Sequence, residues 1–111
     1  MARAKRKTSL GIPENIEGLL AYLFGWLTGI IFYLLERKSK FVRFHAMQSL
    51  ITFLALTLIS FFLTLIPFVG WMLGILVDLL SFILWIVLMI KAYQGEKFKL
   101  PVVGEIAEKY A

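Results

Sequence analysis

Three stretches of this chain, residues 18–35, 46–66 and 68–90, contain a single formal charge, Asp78. The chain has 12 Lys and Arg and 7 Asp and Glu, and every one of them except Asp78 lies outside those stretches. A soluble domain spreads its charges along amphipathic elements and runs to about 25% charged and 45–50% apolar residues. Here 60% of residues are hydrophobic and 17% charged. The segregation excludes an ordinary soluble core, a disordered chain and a nucleic-acid-binding domain. It specifies an integral membrane protein.

Lipid offers no partner to free backbone groups, so open segments cross it only as helices. At about 1.5 Å per residue the three blocks would span roughly 27, 32 and 35 Å, against a hydrocarbon core of about 30 Å. Residues 46–66 contain twelve Leu, Ile, Phe or Val. At the helix centre these contribute about −4 to −7 kcal/mol to insertion. Residues 68–90 contain fifteen, contributing about −5 to −9 kcal/mol, against which Asp78 costs about 2.5–3.5 kcal/mol. Both insert. Residues 18–35 form the shortest block, interrupted by Gly25 and Gly29. Glu36-Arg37-Lys38 follows it where a signal peptide would carry a small-residue cleavage site. The fold class expected is all-α and integral to the membrane. It is a three-helix transmembrane bundle forming one domain over 1–111, with a basic disordered tail over 1–13 and an interfacial tail over 91–111.

The basic residues bear on whether the first block crosses. Four precede it (Arg3, Lys5, Arg6, Lys7), four follow it (Arg37, Lys38, Lys40, Arg43), none lie between blocks two and three, and four follow block three (Lys91, Lys97, Lys99, Lys109). Three crossings divide them eight against four. A re-entrant first block bent at Gly25–Gly29 would place all twelve on one side, as the positive-inside rule favours. Each limb would then have only about two turns, and its bent backbone would need protein cover. Three crossings is the expectation and the re-entrant form its alternative. Both put the first loop and the C-terminal tail in the cytoplasm, with the protein in the cell membrane.

Small and polar residues recur at helical spacing in every block: Gly18, Tyr22, Gly25 and Gly29; His45, Ser49, Thr52, Ser60 and Thr64; Gly70, Gly74, Asp78, Ser81 and Trp85. Small residues allow helices to approach closely in lipid, and polar ones hydrogen-bond across. The stripes are expected to meet along one seam, with Gly25, Gly29, Gly70 and Gly74 as packing positions. Phe41-Val42-Arg43-Phe44-His45 reads as an interfacial run, with Arg43 reaching to the headgroups and both Phe at the acyl boundary. Val103, Ile106 and Tyr110 share one face of a short amphipathic helix lying on the membrane.

Asp78 is the candidate for buried chemistry, because a carboxylate at membrane depth is expensive and suits a proton relay. A hydrogen-bonded Asp satisfied by a facing Ser or Thr is the simpler reading. His45, Gln48 and Ser49, with Arg43, form a polar patch suited to a headgroup or a partner. One His, one buried Asp and no Cys do not make a metal-ligand set. No catalytic motif is present: no GxSxG, no HExxH and no glycine-rich phosphate loop. Neither enzymatic activity nor a cofactor is expected. The partners expected are the bilayer, its anionic lipids through Arg3–Lys7, and a second copy or another membrane protein. Nucleic acid is not among them.

Two stretches carry a family resemblance. One is Glu36–Ser49, a basic loop running into FVRFHAMQS, and the other is Ile90-Lys91-Ala92-Tyr93-Gln94-Gly95-Glu96 with Pro101 beyond. Over about residues 14–110 the chain resembles small archaeal and bacterial membrane proteins sharing a domain with the chloroplast inner-envelope Tic import component. That resemblance implies a multi-pass helical protein without catalytic residues and a role beside a protein-conducting complex. Its motif residues here are His45, Gln48, Lys91, Gly95, Glu96 and Pro101. The resulting expectation is a non-enzymatic membrane subunit that assists protein import or insertion. A small oligomeric transporter using Asp78, or an anionic-lipid binder, are the alternatives.

Overall fold

The computed structural model describes residues 8–111. Five helices follow in order: α1 (Glu14–Leu23), α2 (Trp26–Leu35), α3 (Lys40–Leu63), α4 (Gly70–Tyr93) and α5 (Val103–Tyr110). The framework is the α3–α4 hairpin. Each of its helices has 24 residues and is long and apolar enough to cross a membrane. Ser39 starts α3, its Oγ accepting from Val42 N at 3.1 Å. At the far tip the chain reverses through residues 64–69, where a Cβ on Gly70 would lie 2.1 Å from Leu63 O. Only glycine fits there.

The first apolar block corrects the expectation of a third crossing helix. It breaks at Phe24–Gly25 into α1 and α2, ten residues each. Each is about 15 Å long, half the hydrocarbon thickness. Their outer ends meet. Ser9 N donates to both carboxylate oxygens of Glu36, at 3.1 and 3.0 Å, and Lys38 N donates to Ser9 Oγ at 2.9 Å. The block enters and returns on one side of the hairpin.

The physical reason lies at the bend. Gly25 has φ +62, which a side chain would strain. The backbone groups freed there find side-chain partners. Thr28 Oγ1 accepts from Phe24 N at 3.0 Å and donates to Ala21 O at 3.1 Å, and Ser49 Oγ of α3 donates to Gly25 O at 2.8 Å. Irregular backbone at membrane depth persists only with such cover. Gly29 then lets α2 lie directly on α3, since a Cβ would sit 2.8 Å from Ala46 O and 2.9 Å from Leu50 N. Gly25 is therefore a bend residue, and Gly29 a packing one.

The charges follow this geometry. Arg37, Lys38, Lys40, Arg43, Lys91, Lys97, Lys99 and Lys109 all lie at the open end of the hairpin, and residues 44–90 contain no Lys or Arg. The cluster Arg3–Lys7 lies outside the described residues. After α4 the chain turns at Gly95 (φ +79) and runs back across the open end into α5. Gly104 and Ala107 of α5 are buried, and α5 packs on α3, leaving Ile106 and Tyr110 outward. Gly104 has no alternative, since a Cβ would lie 2.5 Å from Lys99 Cβ.

The molecule measures 50 × 22 × 22 Å. Its core, Tyr22, Phe53, Leu88 and Ala92 with Trp26, Leu84, Trp85 and Leu100 against it, sits in the half that α1 and α2 cover. Past that cover the hairpin stands alone, with Phe61, Phe62, Leu65, Trp71 and Leu76 exposed and Phe68 91% exposed at the tip.

Candidate functional site

Two polar knots occupy the basic end. The first joins Tyr22 of α1, His45 and Gln48 of α3, and the irregular segment after α4. Gln48 Nε2 donates to Phe98 O at 2.8 Å and to Tyr22 Oη at 2.9 Å, while its Oε1 accepts from Leu100 N at 3.0 Å. Its amide is fully used. His45 Nε2 lies 2.9 Å from Glu96 O, and Tyr22 Oη lies 2.7 Å from His45 Nδ1. A carbonyl only accepts, so Nε2 carries the proton and Nδ1 accepts from the tyrosine. Trp85 Nε1 of α4 donates to Tyr22 O at 2.7 Å. One chain of bonds thus ties α1, α3, α4 and the C-terminal segment together, and buried networks of this kind specify one arrangement when every member is paired.

This corrects the interfacial reading of residues 41–45. Phe41, Phe44 and His45 are 2%, 0% and 0% exposed, and the Phe41 and Phe44 rings pack edge-on against the imidazole. Arg43 does not reach for headgroups. Its Nη1 donates to Tyr33 O and Glu36 O, both at 2.9 Å, at the C-terminal end of α2, and its guanidinium lies 4.2 Å from the Tyr33 ring centre. A cation there is favoured by the helix dipole.

The second knot was not singled out in the sequence. Glu14 and Glu17 of α1 and Glu36 after α2 are 3%, 0% and 0% exposed, and the ion pairs seen among the described residues, Lys91–Glu96 and Lys99–Glu108, do not involve them. Thr8 Oγ1 donates to Glu17, and Ser39 Oγ to Glu14. Glu36 accepts from Ser9 N, from Lys38 N at 3.0 Å and from Ser39 N at 2.9 Å. The signal was present: Glu14 and Glu17 extend the Gly18–Tyr22–Gly25 stripe by one turn on the same face. They sit just outside the apolar block, where charges read as flank.

Asp78 is not buried. It lies exposed on the outer part of α4, where Ser60 Oγ of α3 donates to its Oδ1 at 2.8 Å. The neighbouring hydroxyls turn inward on their own helices: Thr57 to Phe53 O, Thr64 to Phe61 O and Ser81 to Val77 O. Gly74 faces α3 within the chain, a Cβ there meeting Ser60 Oγ and Thr64 Cγ2 at 3.9 Å. Among the resemblance residues, Gly95 makes the turn after α4, Glu96 contributes its carbonyl to His45, and Lys91 Nζ pairs with Glu96 Oε2 at 3.2 Å. Pro101 O accepts from Val103 N at 2.7 Å just before α5.

A profile of the MamF/MmsF family, described as a magnetosome magnetite crystal formation protein family, matches residues 11–107. The chain belongs to this family. It is also 65% identical to a UPF0132 membrane protein of Methanocaldococcus jannaschii, over 95% of this chain and 94% of the relative. A second M. jannaschii UPF0132 membrane protein is 54% identical over 95% of this chain and 75% of its own length. One from Archaeoglobus fulgidus is 52% identical over 88% and 95%. No solved structure matches. The MamF/MmsF match overturns the resemblance to the Tic import component: residues 36–49 and 90–101, which carried it, fall inside the MamF/MmsF match. The chain is a membrane protein of a MamF/MmsF-like, UPF0132-type family.

Proposed function

We propose that this MamF/MmsF-family protein is a non-catalytic membrane subunit that works by lateral self-association, with the basic end in the cytoplasm and the hairpin tip across the bilayer. The observation that carries it is Asp78. A carboxyl group on an open helix face, hydrogen-bonded to Ser60, stands in a stretch that otherwise meets lipid. Left uncovered at membrane depth it costs about 2.5–3.5 kcal/mol, and association removes it from lipid.

A second copy fits the face better than a cationic partner helix. Two copies related by a two-fold axis bring matching Ser60 hydroxyls and Asp78 carboxyls together, and no Lys or Arg of this chain lies on the membrane portion. The orientation is supported by all eight described basic residues lying at one end, where anionic headgroups would also be met. Among the described residues no group of three His, Cys, Asp or Glu is spaced to hold a metal ion.

The test is photo-crosslinking in native membranes from Ile75 and, separately, Phe82, which flank Asp78 on its face. The expected product is a homodimer that weakens in Asp78→Leu. Adducts with lipid alone, from both positions, would contradict the proposal, as would capture of another protein with no self-adduct.

A further inference from the structure

Buried carboxyls that meet no cation among the described residues must either gain protons or be pulled apart, and the hydrogen bond between Glu17 and Glu36 shows which carboxyl is the acid. Glu36 receives backbone N–H groups from Ser9, Lys38 and Ser39 on its two oxygens, the environment of a carboxylate. Glu17 accepts from Thr8 on Oε1, while its fully buried Oε2 receives no donor. An Oε2 that carries a proton, and donates it to Glu36, satisfies both groups.

We propose that one proton shared between Glu17 and Glu36 latches the turn Thr8–Ile12 onto the loop 36–39, and that losing it opens this end of the protein. The latch is built from contacts that meet at the pair: Ser9 N to Glu36, Ser9 Oγ to Arg37 N and Lys38 N, and Thr8 to Glu17. Ser39, which caps α3 and holds Glu14, belongs to the same loop.

Among the described residues no neighbouring cation replaces the proton. Arg43 is committed to backbone carbonyls, Lys91 to Glu96, and His45, beside Gly18, to Tyr22 and Glu96. Arg37, Lys38 and Lys40 point outward and form no ion pair with the acids. Glu14 lies near enough to raise Glu17 slightly further, and its own Oε1 is likewise buried without a donor.

Burial pushes Glu17 up to about 7, reinforced by its hydrogen bond to Glu36. Burial would also raise Glu36, but hydrogen bonds from Glu17, Ser9 and Ser39 outweigh it and hold it near 2. In the opened end Glu17 returns to its ordinary value of 4.5. The closed form thus binds more protons between about 4.5 and about 7, so closure weakens as pH rises through that window and levels off above it. Glu36 is ionised in both forms there and contributes no slope.

Amide hydrogen exchange of Ser9, Lys38 and Ser39, in the full chain in nanodiscs and corrected for intrinsic rates, reads the opening directly. The opening constant is expected to rise about tenfold per pH unit and flatten near pH 7, because one proton is linked to it. Glu17→Gln is expected to stay closed, with no slope. A flat wild-type profile, or an unchanged slope in Glu17→Gln, would overturn the proposal. So would closure of the wild type above pH 7 by excess Mg²⁺ or Ca²⁺, which would make the site a cation site. The infrared carbonyl band of a protonated carboxyl gives a reading on unmutated protein. A midpoint near 7 supports the shared proton, and a midpoint near 4.5 overturns it.

Discussion

The two halves of the α3–α4 hairpin are made of the same apolar helix yet are held in different ways. In the basic half, α1, α2, α5 and the C-terminal segment surround the hairpin, and side chains tie all of them to it: Gln48, His45, Tyr22, Trp85, Ser49 and Arg43. In the outer half no third helix lies among the described residues. Ser60 bonds Asp78 across the pair, and the other hydroxyls bond back to their own helix. One half has its structure settled within the chain, and the other presents a face that the chain does not cover. Under the proposed self-association, holding the fold and meeting a neighbour fall to different ends of one hairpin.

The glycines give the largest expected contrast. Gly29→Leu drives a side chain into the α3 backbone, where even a Cβ lies 2.8 Å from Ala46 O. It should cost more than about 3 kcal/mol, the upper end for overpacking, because backbone cannot yield. Gly74→Ala has 3.9 Å of room and should change stability by less than about 1 kcal/mol in either direction. Thermal melts followed by circular dichroism in nanodiscs compare the two.

Next comes the polar pairing. Gln48→Leu leaves Phe98 O and Leu100 N, both part-buried, without their partner, at about 2–6 kcal/mol, since each abandoned group costs about 1–3 kcal/mol. Asp78→Leu should leave monomer stability within about 1 kcal/mol, since one exposed hydrogen bond is lost, while weakening the self-adduct. An equal loss of stability in both would erase the distinction between the halves. The smallest effect is expected at Lys91→Met. Its partner carboxylate in Glu96 is half exposed, so removing the ion pair should cost about 0–1 kcal/mol. The Glu96 carbonyl that His45 uses is untouched.

Much of the framework was legible in the sequence. Two long apolar blocks and a charge-free reversal at Pro67–Gly70 specify the hairpin, and Gly95 marks the turn after α4. The first block was harder, because its length allows a crossing while the distribution of Lys and Arg favours a return. Gly25 decides it, but only because Thr28 and Ser49 satisfy the bend, and pairing with a residue 24 positions away has no local signature. The same limit hid the polar knots. A lone His beside an Arg reads as interfacial until Tyr22 and Glu96 arrive from distant segments. Glu14, Glu17 and Glu36 read as flanking charges until α2 brings them together. Asp78 reads as a buried carboxyl from the sequence; its exposure follows from α2 ending halfway along α3, which periodicity does not reveal.

The central claim is that the first block returns to the side it entered. The chain has no cysteine, so single thiols at Leu10, Lys38, Lys109 and Val69 can be labelled one at a time with a membrane-impermeant reagent in sealed vesicles of one orientation. The account predicts that Leu10, Lys38 and Lys109 react from one side and Val69 from the other. Reaction of Leu10 and Lys38 from opposite sides would make residues 18–35 a third crossing and contradict it.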